Sequence, residues 1–171
     1  MDVLGDLKQN PKPITIHKPT CLWIGCCDAR MSERDILGDC VYGNIFVHRN
    51  IGNLIKDNDD SLLAVLEHGV NNLQIKKIII VGHYDCGAVH LAMKDCNDEN
   101  KLTNWVKPIR DVYQANNFEN INNYEDKHKN MVKLNIQQQV TNMKNIDLVK
   151  KNNVQVYGMC YSVSDDTLFN L

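Results

Sequence analysis

The sequence predicts an α/β domain with a mostly parallel central sheet flanked by helices, and three observations carry that prediction. Four short runs, Cys21–Gly25, Ile45–His48, Ile78–Gly82 and Val154–Gly158, are rich in β-branched or aromatic residues and bounded by Gly or Asn. Segments with helical spacing of apolar residues alternate with them. The runs are nearly continuous in hydrophobicity, as strands of a parallel sheet covered on both faces are. At 171 residues the chain fits one domain, 1–171, large enough for a full core.

The first run ends at Gly25 and opens into Cys26-Cys27-Asp28-Ala29-Arg30; the second, Ile45–His48, leads to Arg49. Leu62, Leu63, Val65, Leu66 and Val70 then recur at helical spacing, with Asp60 or Ser61 placed to cap and Gly69 near the stop. The third run feeds His83-Tyr84-Asp85-Cys86, and a helix starts at Cys86-Gly87 and continues through Val89, Leu91, Ala92 and Met93. The N-terminus of that helix faces His83 and Cys86, where its dipole favours a thiolate. Residues 94–130 are polar and Asn-rich, predicting a helix around Trp105–Tyr113, with Pro108 near its first turn, followed by an exposed loop. Met131–Leu148 is helical by the spacing of Leu134, Ile136, Val140, Met143 and Ile146, and the fourth run closes the sheet.

A net charge of −2 gives no basic field, which argues against a nucleic-acid partner. No apolar stretch reaches the roughly 18–20 residues of a membrane span. Met1-Asp2-Val3-Leu4-Gly5-Asp6 shows neither a secretory signal nor a transit peptide. Seven cysteines, an odd number in a chain too long to need a disulfide framework, place the protein in the reducing cytosol. Beyond Cys26 and Cys86, the other five (Cys21, Cys27, Cys40, Cys96 and Cys160) read as buried or half-buried free thiols.

The two strand-end motifs bring soft metal ligands to one edge of the sheet, where α/β folds present their chemistry. Cys26, His83 and Cys86 form a Cys2His set, a catalytic zinc pattern when the fourth position is open. Cys27, the neighbour of Cys26, points to the opposite face of extended backbone and makes a poor fourth ligand. Asp28 and Arg30, two residues apart, project to the same side as Cys26. A carboxylate that can either reach zinc or pair with arginine is a potential gate on the open position.

Lys18-Pro19, Trp23 through Cys26, Asp28 with Arg30, Phe46-Val47-His48-Arg49-Asn50, Gly82 through Gly87, Asn104-Trp105, Leu134-Asn135-Ile136 and Tyr157-Gly158 together resemble the β-class carbonic anhydrases along nearly the whole chain. The resemblance implies Cys26, His83 and Cys86 as zinc ligands, Asp28 and Arg30 as the catalytic dyad, and reversible hydration of carbon dioxide to bicarbonate by a zinc hydroxide that the dyad orients. It sets His17 and Gly87 against the substrate, with His17 replacing a common Gln. One subgroup has a non-catalytic bicarbonate pocket of Trp, Arg and Tyr, which would fall on Trp23, Arg49 and Tyr161. In that subgroup the aspartate matching Asp28 can swing onto zinc and shut the enzyme, which would make activity fall steeply below neutral pH. A homodimer or dimer of dimers is implied, with Ile45–Asn50 near the seam.

Departures are specific. Cys27 and Ala29 replace two serines beside the dyad, Ala88 stands for a frequent Gly, and only about 16 residues precede His17 where relatives carry N-terminal helices. That shortened helical region leaves room for other readings: a catalytically silent zinc protein that senses bicarbonate or partners a hetero-oligomer, or a hydrolase of carbonyl sulfide.

Overall fold

The computed structural model describes residues 17–41, 43–94 and 99–171; the expectations for the N-terminal segment and for Cys96, and the side chain of Cys40, lie outside it. The sheet is built from β1 (Cys21–Cys26), β2 (Ile45–Asn50), β3 (Lys77–His83), β4 (Gln155–Ser162) and β5 (Thr167–Asn170), in the order β2-β1-β3-β4-β5. The first four are parallel, and β5 adds an antiparallel edge. This is the predicted mostly parallel sheet with one strand more. The sequence hides β5 because four residues with Leu168 and Phe169 at their centre offer no periodicity. A turn makes it: Ser162 Oγ donates to Asp165, and Asp166 takes a left-handed φ of 48°.

The fourth strand also runs past the predicted end at Gly158. That glycine is not a stop. A Cβ there would sit 3.0 Å from Ile136 and 3.1 Å from Val140 on the helix above, so the residue is small to let the helix close on the strand. Gly82 on β3 does the same more severely, with Ile136 atoms 2.6 and 2.7 Å from a built Cβ. We expect Gly82→Ala to force repacking that costs about 1–3 kcal/mol and lowers Tm by roughly 3–10 °C. Thermal unfolding followed by circular dichroism would read this, and an unchanged Tm would refute the close approach.

The helices are α1 (Glu33–Leu37), α2 (Asp60–Glu67), α3 (Gly87–Met93), α4 (Lys101–Trp105), α5 (Lys107–Ala115), α6 (Tyr124–Asn145) and α7 (Asp147–Lys151). The cap of α2 is Asp59, one residue before the expected pair, and it accepts the Ser61 and Leu62 N–H groups. Gly69 does not end the helix. It lies in a wide π turn, His68–Asn72, that carries the chain on past α2, and a Cβ there would make only ordinary contact with Phe46 and Ile75. The helix expected around Trp105–Tyr113 is split at Val106, with Pro108 in the first turn of α5. The largest correction is the start of α6, seven residues before Met131. Asn123 caps it by accepting the Glu125 and Asp126 N–H groups, so the end of the expected loop is helical.

Register places Leu22, Ile24, Ile80, Gly82 and Gly158 on the sheet face under α6, and Trp23, Val47, Ile79 and Tyr157 on the other. That second face is open in part, with Val47 38% and Tyr157 46% exposed. Continuous hydrophobicity therefore does not mean that both faces are covered within one copy of the chain.

Candidate metal centre

Two adjacent parallel strands end at the site. Cys26 is the last residue of β1 and His83 the last of β3, and three residues on Cys86 caps α3. All three are buried, and their ligand atoms lie within 4.8 Å of one another. Among the described residues this is the one cluster of three or more such donors.

The chemistry of the donors fits zinc. His83 Nδ1 lies 2.9 Å from the Tyr84 carbonyl, which fixes the hydrogen on Nδ1 and leaves the Nε2 lone pair facing the cysteines. Nε2 is buried with no hydrogen-bond partner, a costly state that a metal ion relieves. The hydrogen bond from Cys86 pulls the Cys26 thiol well down from its ordinary value against the effect of burial, with help from the Gly52 and Asp28 backbone. The same contact, with burial, pushes Cys86 up, while the Val89 and Ala88 backbone at the start of α3 works against that rise. Zinc takes both sulfurs as thiolates, so metal binding here is coupled to proton release.

Asp28 and Arg30 are joined by two side-chain hydrogen bonds, Nε to Oδ1 at 2.9 Å and Nη2 to Oδ2 at 2.7 Å. The Arg30 backbone N–H also donates to Oδ1, at 2.9 Å. Arg30 is the main cause that holds the Asp28 carboxyl well below the usual carboxylate range. The pairing does not come from extended backbone, the geometry expected from the two-residue spacing. Met31 N–H donates to the Asp28 carbonyl, so residues 28–31 form a turn that folds the guanidinium back onto the carboxylate. Asp28 Oδ2 lies 3.9 Å from His83 Nε2, beside the space the three ligands enclose.

Gly87 is exposed at the start of α3, with nothing within 4 Å of a built Cβ. His17 is elsewhere. It precedes β1, at the end of that strand opposite Cys26, exposed and edge-on to Phe46 with ring centroids 6.4 Å apart. Trp23, Arg49 and Tyr161 share the partly open sheet face by register, but their polar atoms have different fates. Arg49 Nε donates to the Cys26 carbonyl at 2.9 Å and Nη2 to the Asp28 carbonyl at 2.6 Å. Tyr161 donates to Asp166 at 2.7 Å. The Trp23 N–H is buried without a partner, its indole folded over the space left by Gly25.

The family model for carbonic anhydrase matches residues 21–168. A tetrameric β-carbonic anhydrase from Sordaria macrospora superposes with a TM-score of 0.84 at 28% identity, over 91% of this chain and 81% of that one. The chain belongs to the β-carbonic anhydrase family. Among curated carbonic anhydrases, one from Candida albicans is 34% identical over 156 residues, 86% of this chain and 54% of that protein. One from Emericella nidulans is 31% identical over 162 residues, 91% of this chain and 70% of that protein. A Coccomyxa β-carbonic anhydrase solved with acetazolamide has a TM-score of 0.83 at 30% identity, over 91% of this chain and 72% of that one. The chain thus spans about half the length of the Candida relative.

Within this family fold, several supports of the site escape sequence reasoning. Arg49 ties the ligand strand and the dyad turn to β2. Asn135, Gln139 and Asn142 on α6 form a polar ladder: Asn135 donates to the Gly52 carbonyl, and Gln139 accepts the Ile55 N–H. The ladder holds the loop whose Gly52 backbone meets Cys26. Three amide residues recurring on the side of α6 that also carries buried Val132, Ile136 and Met143 are the available signal. Of the remaining thiols, Cys21 and Cys160 are buried as expected, and burial pushes Cys160 up to about 12; Cys27 is exposed.

Proposed function

We propose that the chain catalyses the zinc-dependent, reversible hydration of carbon dioxide to bicarbonate and a proton. The observation that carries this is a buried Cys2His cluster with an unpartnered His83 Nε2, beside an ionised carboxylate held by arginine. Cys26, His83 and Cys86 would hold the ion, and zinc supplies Lewis acidity that activates water. Asp28 accepts the hydrogen of the attacking water and aims its lone pair at the carbon of the substrate. Arg30 keeps that carboxylate charged and turned to accept. The exposed backbone at Gly87 borders the substrate position. His17, at the far end of β1, could serve as a substrate-binding residue only in the site of a second copy.

Oligomerisation supports that role. Val47 and Tyr157 leave apolar surface on the open sheet face, and β2 lies at the edge of the sheet, so we place the seam of a homodimer or dimer of dimers along Ile45–Asn50. No described helix is long and apolar enough to cross a membrane. Buried free thiols at Cys21 and Cys160 fit a reducing, cytoplasmic setting.

The gate is the finer part of the proposal. Asp28 stands between two positions, on Arg30 or on the metal, and the 3.9 Å from Oδ2 to His83 Nε2 is a short swing. Bicarbonate bound near Trp23, Arg49 and Tyr161 would favour the closed position by its differential affinity. Because Arg49 also ties the Cys26 and Asp28 carbonyls, Trp23→Phe is a cleaner probe than Arg49→Ala: it removes the lone indole N–H and keeps an aromatic ring.

The test is stopped-flow carbon dioxide hydration on purified protein, with zinc content and sedimentation measured on the same sample. Zinc-dependent hydration by a dimer or larger species is expected, with bicarbonate inhibition weakened at least threefold in Trp23→Phe. Full zinc occupancy without hydration would replace the enzyme by a silent zinc protein. Unchanged inhibition in Trp23→Phe would remove the pocket and leave the enzyme.

A further inference from the structure

Arg30 has a second carboxylate. Its Nη1 donates to Asp85 Oδ2 at 2.8 Å and its Nη2 to the Asp85 carbonyl at 3.1 Å, so the guanidinium is gripped on one edge by Asp28 and on the other by Asp85. Asp85 lies in the turn between His83 and Cys86 with a left-handed φ of 57°. Its other oxygen, Oδ1, is 3.0 Å from His90 Nε2 on α3, and His90 Nδ1 is 2.9 Å from the Tyr124 hydroxyl on α6. Nε2 must carry the hydrogen that reaches a carboxylate, so Nδ1 of a neutral ring accepts from the tyrosine. His128, one turn beyond Tyr124, is buried and stacks on His90 with ring centroids 3.8 Å apart. The first turns of α6, polar in sequence and unclaimed by the core, converge through His90 on Asp85.

We propose that Asp85 is a positioning residue for the reaction: anchored by His90 and Tyr124, it fixes the plane of the Arg30 guanidinium so that Asp28 is presented in its Arg-paired orientation. The physical argument concerns freedom. Arg30 is 43% exposed at its side chain, and an exposed arginine paired with one carboxylate keeps much of its rotamer entropy and is worth little. A second carboxylate across the opposite edge removes that freedom, because the guanidinium is a rigid fork. Asp85 is itself 67% exposed at its side chain and would be a weak anchor alone. The contact from His90 makes it a firm one, and the tyrosine and the stacked His128 hold His90. The chain runs Tyr124, His90, Asp85, Arg30, Asp28, from the start of one helix to the edge of the metal centre.

The inference rests on Asp28 and Arg30 being the dyad, so the test has one arm that needs no turnover. The variants are Asp85→Gly, which suits the left-handed backbone, His90→Ala, Tyr124→Phe, and His90→Gln, which restores an N–H toward Asp85. In the parent protein the Arg30 Nε–H resonance should be sharp and protected from solvent exchange, as in a guanidinium held on two edges. Asp85→Gly and His90→Ala should speed that exchange at least fivefold, Tyr124→Phe about twofold, and His90→Gln should return it toward the parent. By carbon-13 exchange at chemical equilibrium, kcat/KM should fall about tenfold in Asp85→Gly and about fivefold in His90→Ala, with zinc per chain unchanged. Exchange at Arg30 that ignores Asp85→Gly would overturn the proposal. So would activity lost only in proportion to lost zinc, since Asp85 would then serve the ligand turn. A parent protein without hydration activity but with the Arg30 exchange pattern intact would sink the proposed reaction and leave the anchoring in place.

Discussion

Cys86→Ser is expected to strip zinc from the protein, taking occupancy from near one per chain to below about one tenth after dialysis against a mild chelator. Serine keeps the size of the side chain and its place at the head of α3, so α3 should survive. It does not keep the donor: an alcohol does not ionise to a good zinc ligand near neutral pH, and two remaining ligands do not make a preorganised site. Cys86 is also buried, only 2% exposed, so no surface side chain can take its place without breaking the packing. Elemental analysis beside a circular dichroism spectrum separates metal loss from unfolding. A folded Cys86→Ser protein with full zinc would mean that the ion sits elsewhere.

The second large effect is at the dyad. Asp28→Ala should retain zinc and lower kcat/KM for carbon dioxide by about 10²-fold, in the range of a lost proton-handling or orienting group. The ligands do not depend on the Asp28 side chain for their place; it touches Arg30 and approaches His83 without bonding it. The variant also frees Arg30, which keeps Asp85 as a partner, so the cost to stability should be small. The pH dependence of the pair has a definite sign. Arg30 holds the folded-state carboxyl below its unfolded value of about 4, so its contribution to stability is complete above that value. It is lost only as pH falls through the lower, folded value. Acid unfolding should therefore begin at higher pH in Asp28→Ala than in the parent. Activity within twofold of the parent at full zinc would remove Asp28 from the mechanism.

What the sequence discloses divides along a physical line. Strand ends are legible: Gly25-Cys26 and Gly82-His83 mark the points where apolar runs stop and ligands begin, and the three-residue step from His83 to Cys86 gives the third donor. These features are local and repeat a pattern. The pairing of Asp28 with Arg30 is legible as composition, while its geometry is not, because a turn and an extended chain both bring the two groups together. Gly158 misleads for a reason of packing. A glycine that makes room for a neighbour looks the same in sequence as one that ends an element. The start of α6 is obscured because Tyr124–Asn130 carries one buried residue, His128, and so no hydrophobic period; the Asn123 cap followed by Glu125 and Asp126 is the cue that could have located it. Arg49 and Asp85 act across 21 and 55 positions in the chain, and no local pattern encodes contacts of that range.

The placement of the ligands on neighbouring strands has a mechanical meaning. β1 and β3 are hydrogen-bonded side by side up to Gly25 and Val81, one residue short of Cys26 and two short of His83. An ion at their tips, also bound to Cys86, would tie together positions about 60 residues apart, a span over which a covalent cross-link restrains the denatured chain substantially. It would work as a staple that a reducing compartment cannot cut. The backbones that carry its ligands could separate only by peeling one strand from the other or by unwinding the head of α3. The ion would in turn hold the centre of the sheet zipped, so that its removal should loosen β1 against β3 at their C-terminal tips.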